Sequence, residues 1–187
     1  MRKFALSAAL VAAVFATSAQ AADTFKLSVA GMKEGSTLKD TQVFNGFGCS
    51  GGNLSPALTW TDPPAGTKSL AITAYDPDAP TGSGWWHWTL INLPASARSL
   101  PEGAGDEAGK NLPEGAVQGR TDFGTAAFGG ACPPKGDKPH RYIFTIYALK
   151  ADKVPLDASA SGALVGFYIN KGIGYVGKSS VTLKYGR

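Results

Sequence analysis

Glycine and proline interrupt this chain so often that long helices are disfavoured and short strands become the favoured element. The 187 residues include 24 glycines and 12 prolines, and both residue types destabilise the interior of a helix. Between the interruptions lie short runs that alternate apolar with polar residues or are rich in β-branched and aromatic residues. The pattern predicts a mainly β protein. We expect strands near residues 25–29, 70–75, 88–93, 142–149 and 180–185.

Helical spacing occurs convincingly in one segment, residues 157–170. It is carried by four large residues, Leu164, Val165, Tyr168 and Ile169. Polar residues that can cap a helix precede them, and Gly172 follows as a stop signal. A second region, residues 100–122, is long and polar for a connection in a compact domain, so we expect a surface excursion with a short helix of its own.

Residues 1–21 have the pattern of a cleaved secretory signal peptide. Arg2 and Lys3 precede an apolar run over residues 4–16, and a small-x-small cleavage site ends at Ala21. The run is shorter than the roughly 18 to 20 apolar residues that a membrane-spanning helix needs, so we do not expect the protein to span a membrane. We predict cleavage after Ala21, a periplasmic or secreted location, and a single domain over residues 22–187.

The basic character of the chain comes partly from that signal segment. The formal net charge is +4, and cleavage removes two of the positive charges with Arg2 and Lys3. No run of basic residues interleaved with aromatic residues follows, which is the pattern that tracks a phosphate backbone. We therefore expect no nucleic-acid partner.

Cys49 and Cys132 are the only cysteines of the chain. In an oxidising compartment an even number of cysteines usually indicates a disulfide, so we predict a Cys49–Cys132 bond. Two buried free thiols are the alternative. Because Cys132 lies in a loop that also leads to His140, the bond would hold that loop in place.

The two histidines, His87 and His140, each follow a loop rich in proline and glycine and stand at or near the start of a predicted strand. The first loop contains the sequence Asp-Pro-Asp-Ala-Pro over residues 76–80, whose prolines fix the backbone. Asp76 and Asp78 are either ligand-binding carboxylates or acceptors in ordinary Asx-turns. If the loops meet in space, they form one pocket with two imidazoles and a carboxylate.

Strand alternation predicts which side chains share a face near each histidine. Trp86 and Trp88 are expected on one face, opposite His87. Tyr142 lies two residues after His140, so it is expected on the same face as that histidine and could donate to the same ligand.

The loop before His140 has the composition of a backbone cradle for an anion. Gly129 and Gly130 can bring N–H groups close to a ligand, and the prolines after them stiffen the chain. An ordinary rigid loop is the alternative. Together the two loops predict a pocket for a small anion, whose affinity we expect to rise as the pH falls toward 6 because protonated histidine attracts it.

Two other chemistries remain open at the same residues. Two histidines and one aspartate can also hold a metal ion. Hydrolysis of the Ser-His-Asp type is not indicated, because the serine of Gly82-Ser83-Gly84 lies in a flexible turn rather than on a nucleophile elbow. We predict that the protein is not an enzyme, has no catalytic residues and uses no cofactor.

The stretches around the two histidines resemble the signature regions of a known family. They are Asp-Pro-Asp-Ala-Pro and Trp-His-Trp at the first histidine, and Pro-Pro-Lys-Gly and His-Arg-Tyr at the second. This family is the phosphatidylethanolamine-binding protein family, whose members are also called Raf kinase inhibitor proteins. The bacterial branch is more similar, and its exported members carry paired cysteines at these places. Animal members have a histidine where this chain has Trp86, and they lack the signal peptide and the cysteine pair, so regulation of cytosolic kinases is not implied.

The resemblance implies a phosphatidylethanolamine-binding-protein-like sandwich of antiparallel sheets with a few short helices. It also implies a cavity for phosphate-like anions or phospholipid head groups and a loop near Cys132 that is prone to a cis peptide bond. The candidate ligand-binding residues are Asp76, Pro80, His87, Gly130, Ala131, Cys132, Pro133, His140 and Tyr142.

The implied function is that of a ligand-binding protein that modulates a partner protein. An alternative is an inhibitor of a protease or of a signalling or host protein, which would use the rim of the pocket and surface loops within residues 100–122. The resemblance points to a homodimer, while the residues themselves leave the oligomeric state open.

Overall fold

The structure is a computed structural model that describes residues 25–187; the predicted signal peptide of residues 1–21 lies outside the described residues. The strands are β1 Leu27–Val29, β2 Asn45–Gly46, β3 Cys49–Ser50, β4 Leu58–Trp60, β5 Ser69–Asp76, β6 Trp85–Pro94, β7 Ser99–Leu100, β8 Val117–Gln118, β9 His140–Leu149 and β10 Tyr175–Tyr185. The helix α1, Gly162–Phe167, continues into a π-helical turn over Tyr168–Ile173, and Asp40–Gln42 form a 3₁₀ turn.

The strands form three sheets in which all neighbours are antiparallel. The large sheet has the order β10-β9-β5-β6-β8, a second sheet has the order β1-β4-β7, and β2 and β3 pair as a hairpin. The predicted mainly β fold with antiparallel sheets is confirmed. The central strands β5 and β9 are almost entirely buried, as expected for runs this rich in β-branched and aromatic residues.

The main core lies between the large sheet and the three-stranded sheet. It combines Leu58 and Trp60 of the small sheet with Ile72, Trp88 and Phe144 of the large one. A second, smaller core lies on the opposite face of the large sheet, where α1 packs. The molecule is therefore a sandwich with one helix outside it.

The helix α1 forms within the predicted segment but starts later, at Gly162. Ser161 is its cap and accepts a hydrogen bond from the amide of Leu164. The earlier residues of the segment are held outside the helix because Asp157 accepts hydrogen bonds from the amide and hydroxyl of Ser159. The chain continues past Gly172 in the π-helical turn, so that glycine does not end the helix as predicted.

The helix predicted within residues 100–122 is not found there. This segment consists of turns apart from Leu100, which ends β7, and the short strand β8. Glycines at 103, 109 and 115 adopt positive φ angles of 77°, 59° and 81°, which a continuous α-helix cannot include. None of the helices in residues 25–187 is both long and apolar enough to cross a membrane.

Candidate functional site

The two histidine loops meet and enclose a cavity of about 170 Å³. Seven of the nine predicted ligand-binding residues line it: Asp76, Pro80, His87, Cys132, Pro133, His140 and Tyr142. Sequence reasoning did not select six further lining residues, Phe47, Ala79, Thr81, Trp85, Phe123 and Pro134. No residue of the segment 100–122 lines the cavity, so this segment does not form its rim.

A β-bulge turns His87 toward the cavity. Ala74 of β5 pairs with Trp88, whereas the next residue, Tyr75, pairs with Trp86, so His87 is an extra residue in β6. Trp88 therefore packs in the main core while Trp86 packs beside Gly162 on the helix side of the sheet. The prediction that both tryptophans share a face opposite His87 is wrong, because strict alternation does not hold across a bulge.

His140 is held between two carboxylates. Its Nδ1 lies 2.8 Å from Oδ2 of Asp76, and its Nε2 lies 3.4 Å from Oδ2 of Asp137. The Asp76 and His140 side chains are both buried, and the other oxygen of Asp76 accepts the amide of Asp78 at 2.8 Å. Asp76 therefore forms an Asx-turn and orients His140 at the same time, and each ring nitrogen of His140 faces a carboxylate oxygen.

His87 has a different environment. Its Nδ1 lies 2.7 Å from the carbonyl oxygen of Gly129, so Nδ1 must carry a proton and Nε2 is the nitrogen available to a bound molecule. Burial holds the pKa of His87 below its usual value, although the Gly129 carbonyl and the Asp76 carboxylate oppose this shift. At neutral pH the ring is therefore uncharged.

Two buried hydrogen-bond donors on the cavity wall have no acceptor. The indole N–H of Trp85 meets no acceptor within the part of the chain that the structure describes, and neither does the hydroxyl proton of Tyr142, whose oxygen faces the Cys132 amide. Burial, together with the charge of Asp76, raises the pKa of Tyr142 far above its ordinary value, so the phenol keeps its proton. Both groups can donate to a molecule in the cavity.

Aromatic rings form the opposite wall of the cavity. The Phe123 ring lies 4.3 Å from Phe44, 5.4 Å from Trp85 and 5.3 Å from the His87 ring, measured between centroids. Phe47 adds the outer part of this wall, 5.8 Å from Phe123, and is 69% exposed. The cavity thus offers a polar side and an apolar side.

Gly130 and Ala131 do not line the cavity, which corrects the predicted backbone cradle. The amide of Gly129 donates to the carbonyl of His87, and that of Ala131 donates to Gln42. The amide of Gly130 donates to the side chain of Asn53 at 2.7 Å. The glycine pair is used for close packing against another loop, so its N–H groups are not available to a ligand.

The Asp-Pro-Asp loop is fixed to the start of β9 by Asp78. Its carboxylate accepts hydrogen bonds from Nε of Arg141 at 2.9 Å and from Nη2 at 2.7 Å, as well as from the Arg141 amide. The Arg141 side chain, first through its hydrogen bonds, lowers the pKa of Asp78 to about 2. Asp78 is therefore a structural residue that brings the first loop against His140.

The predicted disulfide between Cys49 and Cys132 is confirmed, with the two Cα atoms 6.0 Å apart. It joins the hairpin of β2 and β3 to the loop before β9. No cis peptide bond occurs within residues 25–187, so the cis bond implied near Cys132 is absent.

The geometry does not favour a metal site or Ser-His-Asp hydrolysis. The described residues contain no group of three or more histidine, cysteine, aspartate or glutamate side chains placed to hold a metal ion. Residues 48–52 match the letters of a G-x-S-x-G motif, but Ser50 ends a two-residue strand and no helix follows it. It is therefore not on the strand-to-helix turn that defines a nucleophile elbow.

Comparison with known proteins gives a consistent result. The family model described as phosphatidylethanolamine-binding protein matches residues 30–185. The chain is 59% identical to YbcL of Escherichia coli (strain K12) over 160 residues, which are 86% of this chain and 87% of that protein. It is 53% identical to YbhB of the same organism over 139 residues, covering 74% and 87% of the two chains.

The fold agrees with a solved relative as well. The crystal structure of E. coli YbcL, presented as a new member of the mammalian PEBP family, matches with a TM-score of 0.84. The sequence identity in that comparison is 55%, and the match covers 87% of this chain and 98% of the other.

Proposed function

The chain belongs to the phosphatidylethanolamine-binding protein family, and from this premise we propose that its cavity binds a phosphate-like anion or a phospholipid head group. The observation that carries the proposal is the pair of unpartnered donors, the Tyr142 hydroxyl and the Trp85 indole N–H. A buried donor without an acceptor costs about 1 to 3 kcal/mol. A bound anionic oxygen would remove that cost at both sites.

The charges around the cavity are compatible with an anion. Both oxygens of Asp76 are already engaged, one by the amide of Asp78 and the other by the His140 ring beside it. His87 is uncharged at neutral pH because burial lowers its pKa. A bound anion would favour its protonated form, so the affinity is expected to increase as the pH falls below about 6.5.

Calorimetric titration with glycerophosphoethanolamine at pH 7.5, 6.5 and 5.5 tests the proposal. The phosphodiester of this probe keeps one negative charge across that range, so any pH dependence comes from the protein. Inorganic phosphate is titrated in parallel. Tighter binding of glycerophosphoethanolamine indicates a lipid head group, whereas tighter binding of phosphate indicates a free anion.

Variants identify the cavity as the binding site. Tyr142→Phe and Trp85→Phe each remove one donor and are expected to weaken binding about tenfold. Tyr147→Phe is the matched control, because Tyr147 packs with the second core on the other face of the large sheet. The proposal is wrong if neither probe binds, or if affinity is flat or decreases on acidification.

We also propose a periplasmic or secreted location, on the basis of the basic, apolar and small-x-small pattern of residues 1–21. Intact-mass measurement of protein recovered from cell fractions tests it. A mass that starts at Ala22 in the exported fraction supports cleavage after Ala21, while a full-length protein in the cytosol contradicts it.

The exposed ring of Phe47 at the cavity mouth favours a second proposal, modulation of a partner protein through the rim. An aromatic side chain with this exposure can anchor an interface. Pull-down from host extract with wild type, Phe47→Ala and His87→Ala distinguishes the sites. A rim interface predicts that Phe47→Ala loses the partner and that His87→Ala keeps it.

A further inference from the structure

Arg187 holds together two loops that are far apart in sequence. Its Nη1 donates to the carbonyl oxygen of Gly48 at 2.7 Å and its Nη2 to that of Phe47 at 3.3 Å. Its Nε donates to the carbonyl oxygen of Pro133 at 2.6 Å. One guanidinium therefore bridges the tip of the β2–β3 hairpin and the loop before β9.

The position of Arg187 follows from the sheet register. Strands β10 and β9 pair up to Tyr185 and His140, so the residues after Tyr185 lie beside the loop that leads into β9. The carbonyl of Arg187 accepts the amide of Gly136 at 3.1 Å, which fixes the backbone there as well. The side chain is then within reach of the hairpin.

Both bridged loops are walls of the cavity. Phe47 supplies the outer aromatic wall, and Cys132, Pro133 and Pro134 supply the wall beside it. Phe47 has a φ angle of 51°, in the left-handed region that a non-glycine residue seldom adopts. Such a conformation persists when surrounding contacts hold it, and the hydrogen bonds to the Phe47 and Gly48 carbonyls are contacts of this kind.

The Cys49–Cys132 disulfide joins the same two loops. At its base the hairpin is joined to the loop before β9 by backbone hydrogen bonding, since the Phe44 amide donates to the Ala131 carbonyl at 3.0 Å. Its tip is tied to the same loop by the disulfide and by the guanidinium. We propose that Arg187 is a positioning residue for the cavity, and that it and the disulfide are parallel ties, either of which alone keeps the two walls in place. The cavity consequently survives loss of the disulfide only while Arg187 is present.

Arginine is suited to this task by its geometry. Its guanidinium carries five donors in a rigid plane, so it can serve three carbonyls in different directions. Lysine keeps the charge but concentrates its donors on one flexible nitrogen. Arg187→Lys therefore removes the bridge and retains the charge, while Arg187→Gln removes both.

The test places both substitutions in the wild-type and the Cys49→Ser/Cys132→Ser backgrounds. It measures amide hydrogen exchange of residues 44–51 and of residues 132, 135 and 136, because Pro133 and Pro134 have no N–H. With the disulfide present, both Arg187 variants are expected to keep wild-type protection in these loops. Without it, both are expected to exchange at least about fivefold faster than the serine double variant alone, because the ties are coupled. Exchange that is unchanged, or that accelerates equally in the two backgrounds, overturns the proposal.

Binding is measured on the same proteins with glycerophosphoethanolamine, and this readout rests on the proposed function. Parallel ties predict that Arg187→Lys and Arg187→Gln lose affinity together, by about fivefold or more, in the serine background only. If the charge of Arg187 attracts the anion instead, only Arg187→Gln loses affinity, and it does so in both backgrounds. If the wild type does not bind the probe, the proposed function fails while hydrogen exchange still decides the inference.

A protein lacking both ties could fail to fold. In that case Arg187→Lys is purified with its disulfide, and a phosphine reductant is added to the folded protein immediately before exchange. Faster loop exchange on reduction in Arg187→Lys but not in wild type supports the proposal. Equal behaviour of the two proteins overturns it.

Discussion

His140 and Asp76 form a buried pair in which Nδ1 of the histidine lies 2.8 Å from a carboxylate oxygen of the aspartate. The pair arises from the antiparallel register of two neighbouring strands, since Asp76 ends β5 and His140 begins β9. Because the side chains of His140 and Asp76 are only 5% and 4% exposed, the imidazole is oriented by a partner that water cannot replace.

We predict that Asp76→Asn destabilises the protein by about 1 to 3 kcal/mol, since a buried hydrogen bond to a charged group is lost. Urea unfolding at pH 7.5 measures the change. Asp137→Asn is the matched control on the other ring nitrogen. Asp137 is 42% exposed and 3.4 Å away, so its replacement is expected to cost less than about 1 kcal/mol. Equal losses for the two variants would contradict the assigned role of Asp76.

His87 predicts a specific dependence of stability on pH. Burial lowers its pKa in the folded state, so below the unfolded value of about 6.5 the unfolded chain binds more protons than the folded one. Stability supplied by this residue is therefore complete above pH 6.5 and decreases as the pH falls below it. Urea unfolding between pH 7.5 and 5 is expected to show a smaller decrease for His87→Gln than for wild type. Parallel curves would contradict the prediction.

The strands that carry the site were predictable because their sequences favour few secondary structures other than a buried strand. The dense apolar runs of β5 and β9 can be stable only as interior strands, and the prolines of residues 76–80 must end the first of them. Once β5 and β9 pair, Asp76 and His140 are neighbours. The residue types therefore sufficed to bring most of the polar site together.

Features set by tertiary packing were not predictable from local pattern. The bulge at His87 depends on the partner strand, and alternation alone assigned Trp86 to the wrong face. The amide of Gly130 is used by Asn53, which lies 77 residues away in sequence. The bridge made by Arg187 gives no local signal either, because its acceptors are backbone carbonyls of distant loops.

Alanine substitutions at two glycines of α1 test whether Trp86 packs against this helix. A Cβ on Gly162 would overlap Cγ of Trp86, whereas a Cβ on Gly166 would make an ordinary contact at 3.5 Å with the same ring. Gly162→Ala is expected to destabilise the protein by about 1 to 3 kcal/mol through overpacking. Gly166→Ala is expected to stabilise it by up to about 1 kcal/mol, because alanine favours a helix. Thermal unfolding of both variants measures the effects, and equal signs would contradict the packing of Trp86 against α1.

Loss of the disulfide is expected to destabilise the protein by about 4 to 5 kcal/mol in the loop-entropy model. The bond connects residues 83 positions apart, and a closed loop of that length restricts the unfolded chain strongly. Denaturant unfolding of Cys49→Ser/Cys132→Ser measures the change, and wild type under reducing conditions is the control and should agree. A loss below about 1 kcal/mol would contradict the expectation.

Besides the change expected from His87, we predict that stability changes at much lower pH because of Asp78. The Arg141 side chain lowers the pKa of Asp78 from 3.8 to about 2, so the folded state holds the carboxylate charged where the unfolded chain protonates it. The stability from this pair is complete above about pH 4 and is lost as the pH falls toward 2. Urea unfolding at pH 4, 3 and 2 is expected to show a weaker pH dependence for Asp78→Asn than for wild type.

Asp152→Asn is the control: it removes an exposed carboxylate that lies 3.6 Å from Lys68 and is expected to leave stability within about 0.5 kcal/mol of wild type at pH 7. If Asp78→Asn and wild type lose stability in parallel between pH 4 and 2, the Arg141 contact does not hold the loop as described.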